Sequence, residues 1–447
     1  MEKTQFRLII SGGGTGGHIF PAVAIAHAVR EQIPDVEILF VGANGRMEMK
    51  RVPEAGFKIE GLDIYGLQRK ISLKNMIENL KLPFRLWKSM RRAKQIIRNF
   101  QPDVVVGVGG YASAPTLRSA VSMKIPTLIQ EQNSYPGITN KLLAGKVNKI
   151  CVAYDNLDRF FPADKIVKTG NPIRKDLIEL QADRAEAYHF FGLDSGKKTL
   201  AVIGGSLGSR TINESIATFC KELEINNIQL IWQTGEHYYN RLPQEYKEMS
   251  GIQIFPFISR MDLLYAAADV IVSRAGALSI SELCVVGKPC ILIPSPNVSE
   301  DHQTKNASVL SQAGAVLLIA DNQAVEKLKD AVFELVNDEK RCGEMRVNLK
   351  KLALPNAAKT IADEVIKLMK NNLGLNHGCE NVQSDDLALK PQNVSCTDVA
   401  CNVSGFPIER RCTQRLYTAL IPVETRHATS LQIKKNINNQ LKINKIL

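Results

Sequence analysis

The nine cysteines of this chain include no C-x-x-C pair, so neither a zinc ribbon nor a redox dithiol can be read from them. Scattered thiols of this kind fit a reducing compartment better than a disulfide framework. Apolar runs are short as well, and none reaches the roughly 18 residues that a membrane-spanning helix needs. The N-terminal stretch MEKTQFRLIISGGG has neither a long apolar segment nor a small-residue cleavage site, so a cytosolic protein without a secretory leader is expected. No lysine follows either glycine-rich loop in Walker spacing, which sets aside a P-loop nucleotidase. Before the C-terminal tail there is no D-x-D pair to hold a divalent ion on a diphosphate. No metal and no cofactor are expected.

What is present is a long chain, 447 residues with 45% apolar and 23% charged side chains, enough for two or three domains with substantial cores. Short β-branched runs at 6–11, 36–42, 103–109, 126–131 and 149–154 alternate with helical periodicity, as in FPAVAIAHAVREQI and PTLRSAVSMK. A second series of runs lies at 198–206, 228–235, 252–258, 269–276 and 289–296, with helical segments between them. Strands alternating with helices predict parallel sheets covered on both faces. The expected class is therefore α/β, two doubly wound domains in tandem. Their expected limits are 1–165 and 166–355, with the linker near FFPADKIVKTGNPIRKDL, then a terminal helix over 356–373. From 374 to 447 the periodicity is lost, and a disordered or weakly structured tail is expected.

The net charge of +12 is unevenly spread. Residues 1–165 hold 24 Lys/Arg against 14 Asp/Glu, whereas residues 166–372 hold 24 against 25. A basic first third implies an anionic partner, nucleic acid or membrane surface, or simply a solvated surface.

Gly12, Gly14 and Gly17 in SGGGTGGHIFPA match G-x-G-x-x-G. A dinucleotide site also needs an acid at the end of the second strand to bind ribose hydroxyls, and that position reads FVGANGR. NAD is thereby disfavoured. His18 follows the loop at the start of a helix, where it is either a helix-capping residue or a general base held neutral by the helix N-terminus. In the second half, SRAGALSISELCVVG brings a strand into a helix starting near Ala277. Main-chain N–H groups there suit a diphosphate. Glu282, expected on the first helical turn, can accept both hydroxyls of a ribose. A capping box between Ser279 and Glu282 is the other reading of that pair.

Taken in order, GGGTGGHIFPA, GVGGYASAP, EQNSYPGITNK, GNPIR, GGSLGSRTIN, SRAGALSISEL and EDHQTKNA resemble the MurG family of peptidoglycan N-acetylglucosaminyltransferases, over about residues 5–370. The resemblance implies the GT-B fold, two Rossmann-like domains with the active site in the cleft between them. It implies UDP-GlcNAc as donor and a lipid-linked MurNAc-pentapeptide as acceptor, with inversion at the anomeric carbon and His18 as the catalytic base. It implies that Thr15, Gly16 and Gly17 line the cleft beside the donor sugar, and that Asn133 and Arg174 contact the donor. Ser206 would meet the diphosphate and Ile258 the uracil through its backbone. Ala277, Leu278, Ser279, Ile280, Ser281 and Glu282 would hold diphosphate and ribose, and Gln303 the sugar hydroxyls. Gln130 stands where many relatives carry histidine, and nothing in the family pattern matches the tail.

A lipid-linked acceptor calls for a membrane-facing surface. Over residues 71–98, Ile71, Leu73, Ile77, Leu80, Phe84 and Trp87 interleave with eight Lys/Arg and one acid. Such a segment suits an anionic membrane surface; over 88–98, packing of the apolar stripe on the sheet is an equal alternative. The expected location is peripheral, on the cytoplasmic face of the inner membrane. The basic run carries no nucleic-acid recognition motif, so no nucleic-acid partner is expected.

Overall fold

The computed structural model describes residues 5–64, 82–178, 182–205, 207–298 and 301–372. Two parallel sheets organise them. In the first lobe the strands are β1 (Arg7–Ser11), β2 (Glu37–Ala43), β3 (Lys58–Leu62), β4 (Val104–Gly107), β5 (Thr127–Glu131), β6 (Lys149–Val152) and β7 (Ile166–Lys168). They lie in the order β3-β2-β1-β4-β5-β6-β7. The second lobe contains β8 (Lys198–Ile203), β9 (Ile228–Gln233), β10 (Ile252–Phe255), β11 (Val270–Ser273), β12 (Cys290–Leu292) and β13 (Leu317–Leu318), ordered β10-β9-β8-β11-β12-β13. Central strands such as β4 and β11 are buried along their whole length, which is why their sequences read as continuous apolar runs rather than alternating ones.

Helices cover both faces. In the first lobe these are α1 (Gly16–Gln32), α2 (Glu48–Glu54), α3 (Leu82–Phe100), α4 (Ser113–Ser122) and α5 (Ile138–Leu143). The second lobe adds α6 (Arg184–Phe191), α7 (Arg210–Ile225), α8 (Met261–Ala267), α9 (Ala277–Val286), α10 (His302–Gln312), α11 (Ala324–Asn337) and α12 (Glu339–Leu352), and the last helix is α13 (Ala357–Asn372). In α1, Ile19, Ala22, Ile25, Ala26 and Val29 are buried, the spacing of one helical face turned to a sheet.

The boundary between lobes falls later than 165/166. Residues Ile166–Lys168 pair in parallel with β6 as the outermost strand of the first sheet, Ile150 opposite Ile166 and Val152 opposite Lys168. The terminal helix returns to the first lobe. Ile361, Ala362, Val365, Leu368 and Met369 of α13 join Leu8, Ile10, Ile25 and Val29 in one core. Both topologies reverse direction at their first strand, between β1 and β4 and between β8 and β11. In open α/β sheets, ligands bind beyond the carboxyl ends of the strands at such a switch point. The loops in question are 12–15 and 108–112 in the first lobe, and 204–205 with 207–209 and 274–276 in the second.

Candidate active site

Two glycine loops meet at the switch point of the first lobe. A Cβ added to Gly110 would lie 2.3 Å from the Gly13 carbonyl oxygen, and one on Gly109 would lie 2.8 Å from Cε1 of His18. Both glycines have left-handed φ, +85° and +96°, so these contacts depend on glycine twice over. His18 is the third residue of α1, and Thr15 is the N-cap, which removes the capping role from the histidine. Its ring is seated on Gly109, and Nδ1 is buried with no hydrogen-bond partner among the described residues. Burial pushes the imidazole below its ordinary pKa; the Val108 carbonyl and Gln132 side chain pull it up, and nearby His302 pushes it down. The last influence comes from the second lobe. Thr15 and Gly17 are exposed and Gly16 is half-buried. Pro21, inside α1, has no N–H for the Gly17 carbonyl four residues earlier.

At the switch point of the second lobe, α9 begins after Gly276 with no side-chain cap. Ile280 N–H already bonds to the Gly276 carbonyl, leaving the amides of Ala277, Leu278 and Ser279 as the unpaired first-turn donors that every helix start presents. Ser279 is not a cap, so the capping box is absent. Glu282 is the sixth residue of the helix and therefore lies on its second turn, not the first. Its Oε2 accepts the hydroxyl of buried Tyr265 at 2.9 Å. Arg174 is close enough to Tyr265 to oppose the rise that burial and Glu282 impose on its pKa.

Buried side-chain amides join the two ends. Gln132 donates to the Val108 carbonyl at 2.7 Å and also to Gln130. Gln130 donates to Asn171 Oδ1 at 3.1 Å, and Asn171 Nδ2 faces the Gln132 carbonyl, Ser281 Oγ and the Ala277 carbonyl at 3.1, 3.1 and 3.4 Å. A polar chain thus runs from the neighbours of His18 to the helix that carries Glu282.

The remaining expected residues are held by protein partners. Asn133 is fixed by Glu131, whose Oε1 accepts its N–H and its Nδ2 at 3.0 and 3.2 Å. Oε2 of Glu131 accepts from Gly137 N–H and Asn140 Nδ2, and burial raises the pKa of this carboxyl. A carboxyl with four donors already in place is built to orient a loop. Gln303 accepts the Ser295 N–H at 2.8 Å. Ile258 is buried and its N–H is taken by Gln233 Oε1 at 2.9 Å. Ser206 lies outside the described residues, as do Ile71, Leu73, Ile77 and Leu80, the side chain of Phe84, and the tail after 372. Trp87 is 56% exposed. Further along α3, Ala93, Ile96 and Ile97 are buried, and Lys88 and Arg92 pair with Asp63 and Glu60 at 3.7 and 2.8 Å. Over 88–98 the apolar stripe therefore packs on the sheet. Among the described residues no helix is long and apolar enough to cross a membrane.

The models for the glycosyltransferase family 28 N-terminal and C-terminal domains match residues 8–152 and 199–361. The chain belongs to glycosyltransferase family 28. A family relative from Flavobacterium psychrophilum, named UDP-N-acetylglucosamine--N-acetylmuramyl-(pentapeptide) pyrophosphoryl-undecaprenol N-acetylglucosamine transferase, is 52% identical over 370 residues, covering 82% of this chain and 99% of the relative. The crystal structure of MurG from Acinetobacter baumannii superposes with a TM-score of 0.64 at 27% identity, covering 81% of this chain and 99% of that one. A UDP-GlcNAc 2-epimerase from Neisseria meningitidis shares the fold, at TM-score 0.57 and 14% identity over 81% of this chain and all of that one.

Several residues of this family 28 site are not among those the sequence reading singles out. Asn171, Gln132 and Asn306 lie inside the motifs GNPIR, EQNSYPGITNK and EDHQTKNA, within three positions of Arg174, Asn133 and Gln303. Gln233 and Tyr265 carry no local signal, because a lone amide or tyrosine beside an apolar run reads as core. Glu48 is the least foreseeable, and it bears on the glycine loop directly.

Proposed function

We propose that this chain transfers GlcNAc from UDP-GlcNAc to the C4 hydroxyl of MurNAc in undecaprenyl-diphospho-MurNAc-pentapeptide, the activity named for its family 28 relatives. The observation that carries the reading at the level of residues is the polar chain from Gln132 through Asn171 to Ala277 and Ser281. It ties the surroundings of a neutral histidine on one lobe to an uncapped helix start on the other.

In this reading the donor lies on the second lobe. The unpaired amides at the start of α9, with Ser206, meet the diphosphate, the Ile258 carbonyl meets uracil, and Glu282, held by Tyr265, accepts the ribose hydroxyls. Arg174, Asn133 and Gln303 surround the sugar, with Thr15, Gly16 and Gly17 facing it from the first lobe. His18 takes the proton of the acceptor C4 hydroxyl as the oxygen attacks the anomeric carbon. One displacement inverts that carbon, so a single base suffices. As the bond to the diphosphate breaks, fixed N–H donors stabilise the growing negative charge without rearranging. The acceptor diphosphate is placed at the second glycine loop, where the Ser113 hydroxyl is buried without a partner among the described residues. The basic segment 71–87, with exposed Trp87, rests on an anionic membrane surface, which makes the enzyme peripheral.

Incubation with UDP-GlcNAc and a lipid-diphosphoryl MurNAc-pentapeptide in detergent, without added divalent metal, is expected to give the β-linked disaccharide. Release of UDP and 2-epimerised sugar without a disaccharide would replace this reading by an epimerase. Disaccharide formation only on adding a divalent ion would remove the metal-free step.

A further inference from the structure

Glu48 is 1% exposed and begins α2 beneath the first glycine loop. Its Oε2 accepts the Gly14 N–H at 2.9 Å and its Oε1 the Ala43 N–H at 3.0 Å. A Cβ on Gly13 would come within 2.2 Å of the carboxylate, and one on Gly42 within 2.6 Å of Glu48 Cγ. Both glycines leave room for this side chain. In strand–loop–helix units the loop amides commonly meet a phosphate; here the Gly14 amide meets the protein's own carboxylate. The loop so held is the one whose Gly13 backs Gly110, adjacent to the Gly109 that seats the His18 ring.

We propose that Glu48 is a positioning residue for the transfer reaction: it ties the first glycine loop to the end of β2 through the Gly14 and Ala43 amides and fixes the platform on which His18 sits. The inference rests on the reading of His18 as the base. Its charge reaches the imidazole too. Glu48 from α2 acts to raise the His18 pKa, while His302 from α10 acts to lower it.

The test uses the full chain with Glu48→Gln and Glu48→Ala, read by steady-state kinetics and by NMR titration of the imidazoles, with His18→Ala identifying the His18 signal. Expected results are a kcat at least tenfold lower, a UDP-GlcNAc KM within twofold of the parent, and a His18 titration moved to lower pH. Formate is expected to restore part of the turnover of Glu48→Ala by supplying a carboxylate to the Gly14 and Ala43 amides. Parental kcat and His18 titration in Glu48→Gln would overturn the inference. So would equal losses of kcat and donor affinity with no change in the imidazole titration, the mark of a purely structural role. Retained turnover in His18→Ala together with a shifted titration in Glu48→Gln would remove His18 as the base and leave the seating of its ring by Glu48 in place.

Discussion

Ser134 gives both its main-chain N–H and its hydroxyl to one atom, Oδ1 of Asn306, at 3.0 and 2.8 Å. The first residue follows β5 in one lobe, and the second lies in α10 of the other, where it is completely buried. Asn306 also donates to Asn133 Oδ1 at 3.3 Å. One side chain therefore latches the lobes together.

Replacing Asn306 with alanine leaves Ser134 and Asn133 without that partner. Both are half-buried, so each lost hydrogen bond costs about 0.5–1.5 kcal/mol, and thermal unfolding is expected at a lower temperature. The KM for UDP-GlcNAc is expected to rise by more than kcat falls. An unchanged KM would separate the latch from the donor.

The pH dependence follows from the direction of the His18 shift. Burial holds the imidazole below its ordinary value of about 6.5, so the neutral base persists into mildly acidic solution. The rate is expected to hold down to below about pH 6.5 and to fall as His18 gains its proton. Stability moves in the same direction. The unfolded chain binds this proton near pH 6.5 while the folded chain does not, so the contribution of His18 to stability declines as pH drops through that value. A kcat/KM profile whose acid limb lies above pH 7 would contradict this assignment.

Glu282→Ala is expected to weaken UDP binding by about 1.5–3 kcal/mol, the range for hydrogen bonds to a charged group. Tyr265→Phe removes only the hydroxyl that steadies the carboxylate and is expected to cost less. Isothermal titration with UDP distinguishes the two, and equal losses would mean that Glu282 acts on Tyr265 rather than on the ligand.

Trp87→Ala is expected to lower partitioning onto phosphatidylglycerol vesicles while leaving UDP binding unchanged. An aromatic ring at the headgroup boundary contributes apolar area that alanine cannot. Co-sedimentation equal to that of the parent chain would place the membrane contact elsewhere.

The legible parts of this molecule are those where one physical signal dominates. Strands buried on both faces read as apolar runs, so β1, β4, β8 and β11 are plain in RLIIS, VVVG, KTLAVI and VIVS. The edge strands β3, β7 and β13 are not, because KIEGL, IVK and LL are short and only half-buried. Within the site, glycine loops and His18 stand out through residue type and spacing. Glu48, Asn171 and Asn306 do not, since their function comes from donors brought to them by folding. A carboxylate does reach the first loop, but from the helix after FVGANGR, where it bonds the Gly14 amide.

Consider finally how the polypeptide passes between its halves. It leaves the first after Lys168 and comes back through Leu354 to α13, whose apolar side completes the earlier core. At this seam a Cβ on Gly170 would fall 2.7 Å from the Cβ of Leu354, so outgoing and returning segments lie side by side. Removing the chain from Leu354 onward would thus cut one of the two covalent passages between the halves and uncover the core of the half that begins at the N-terminus.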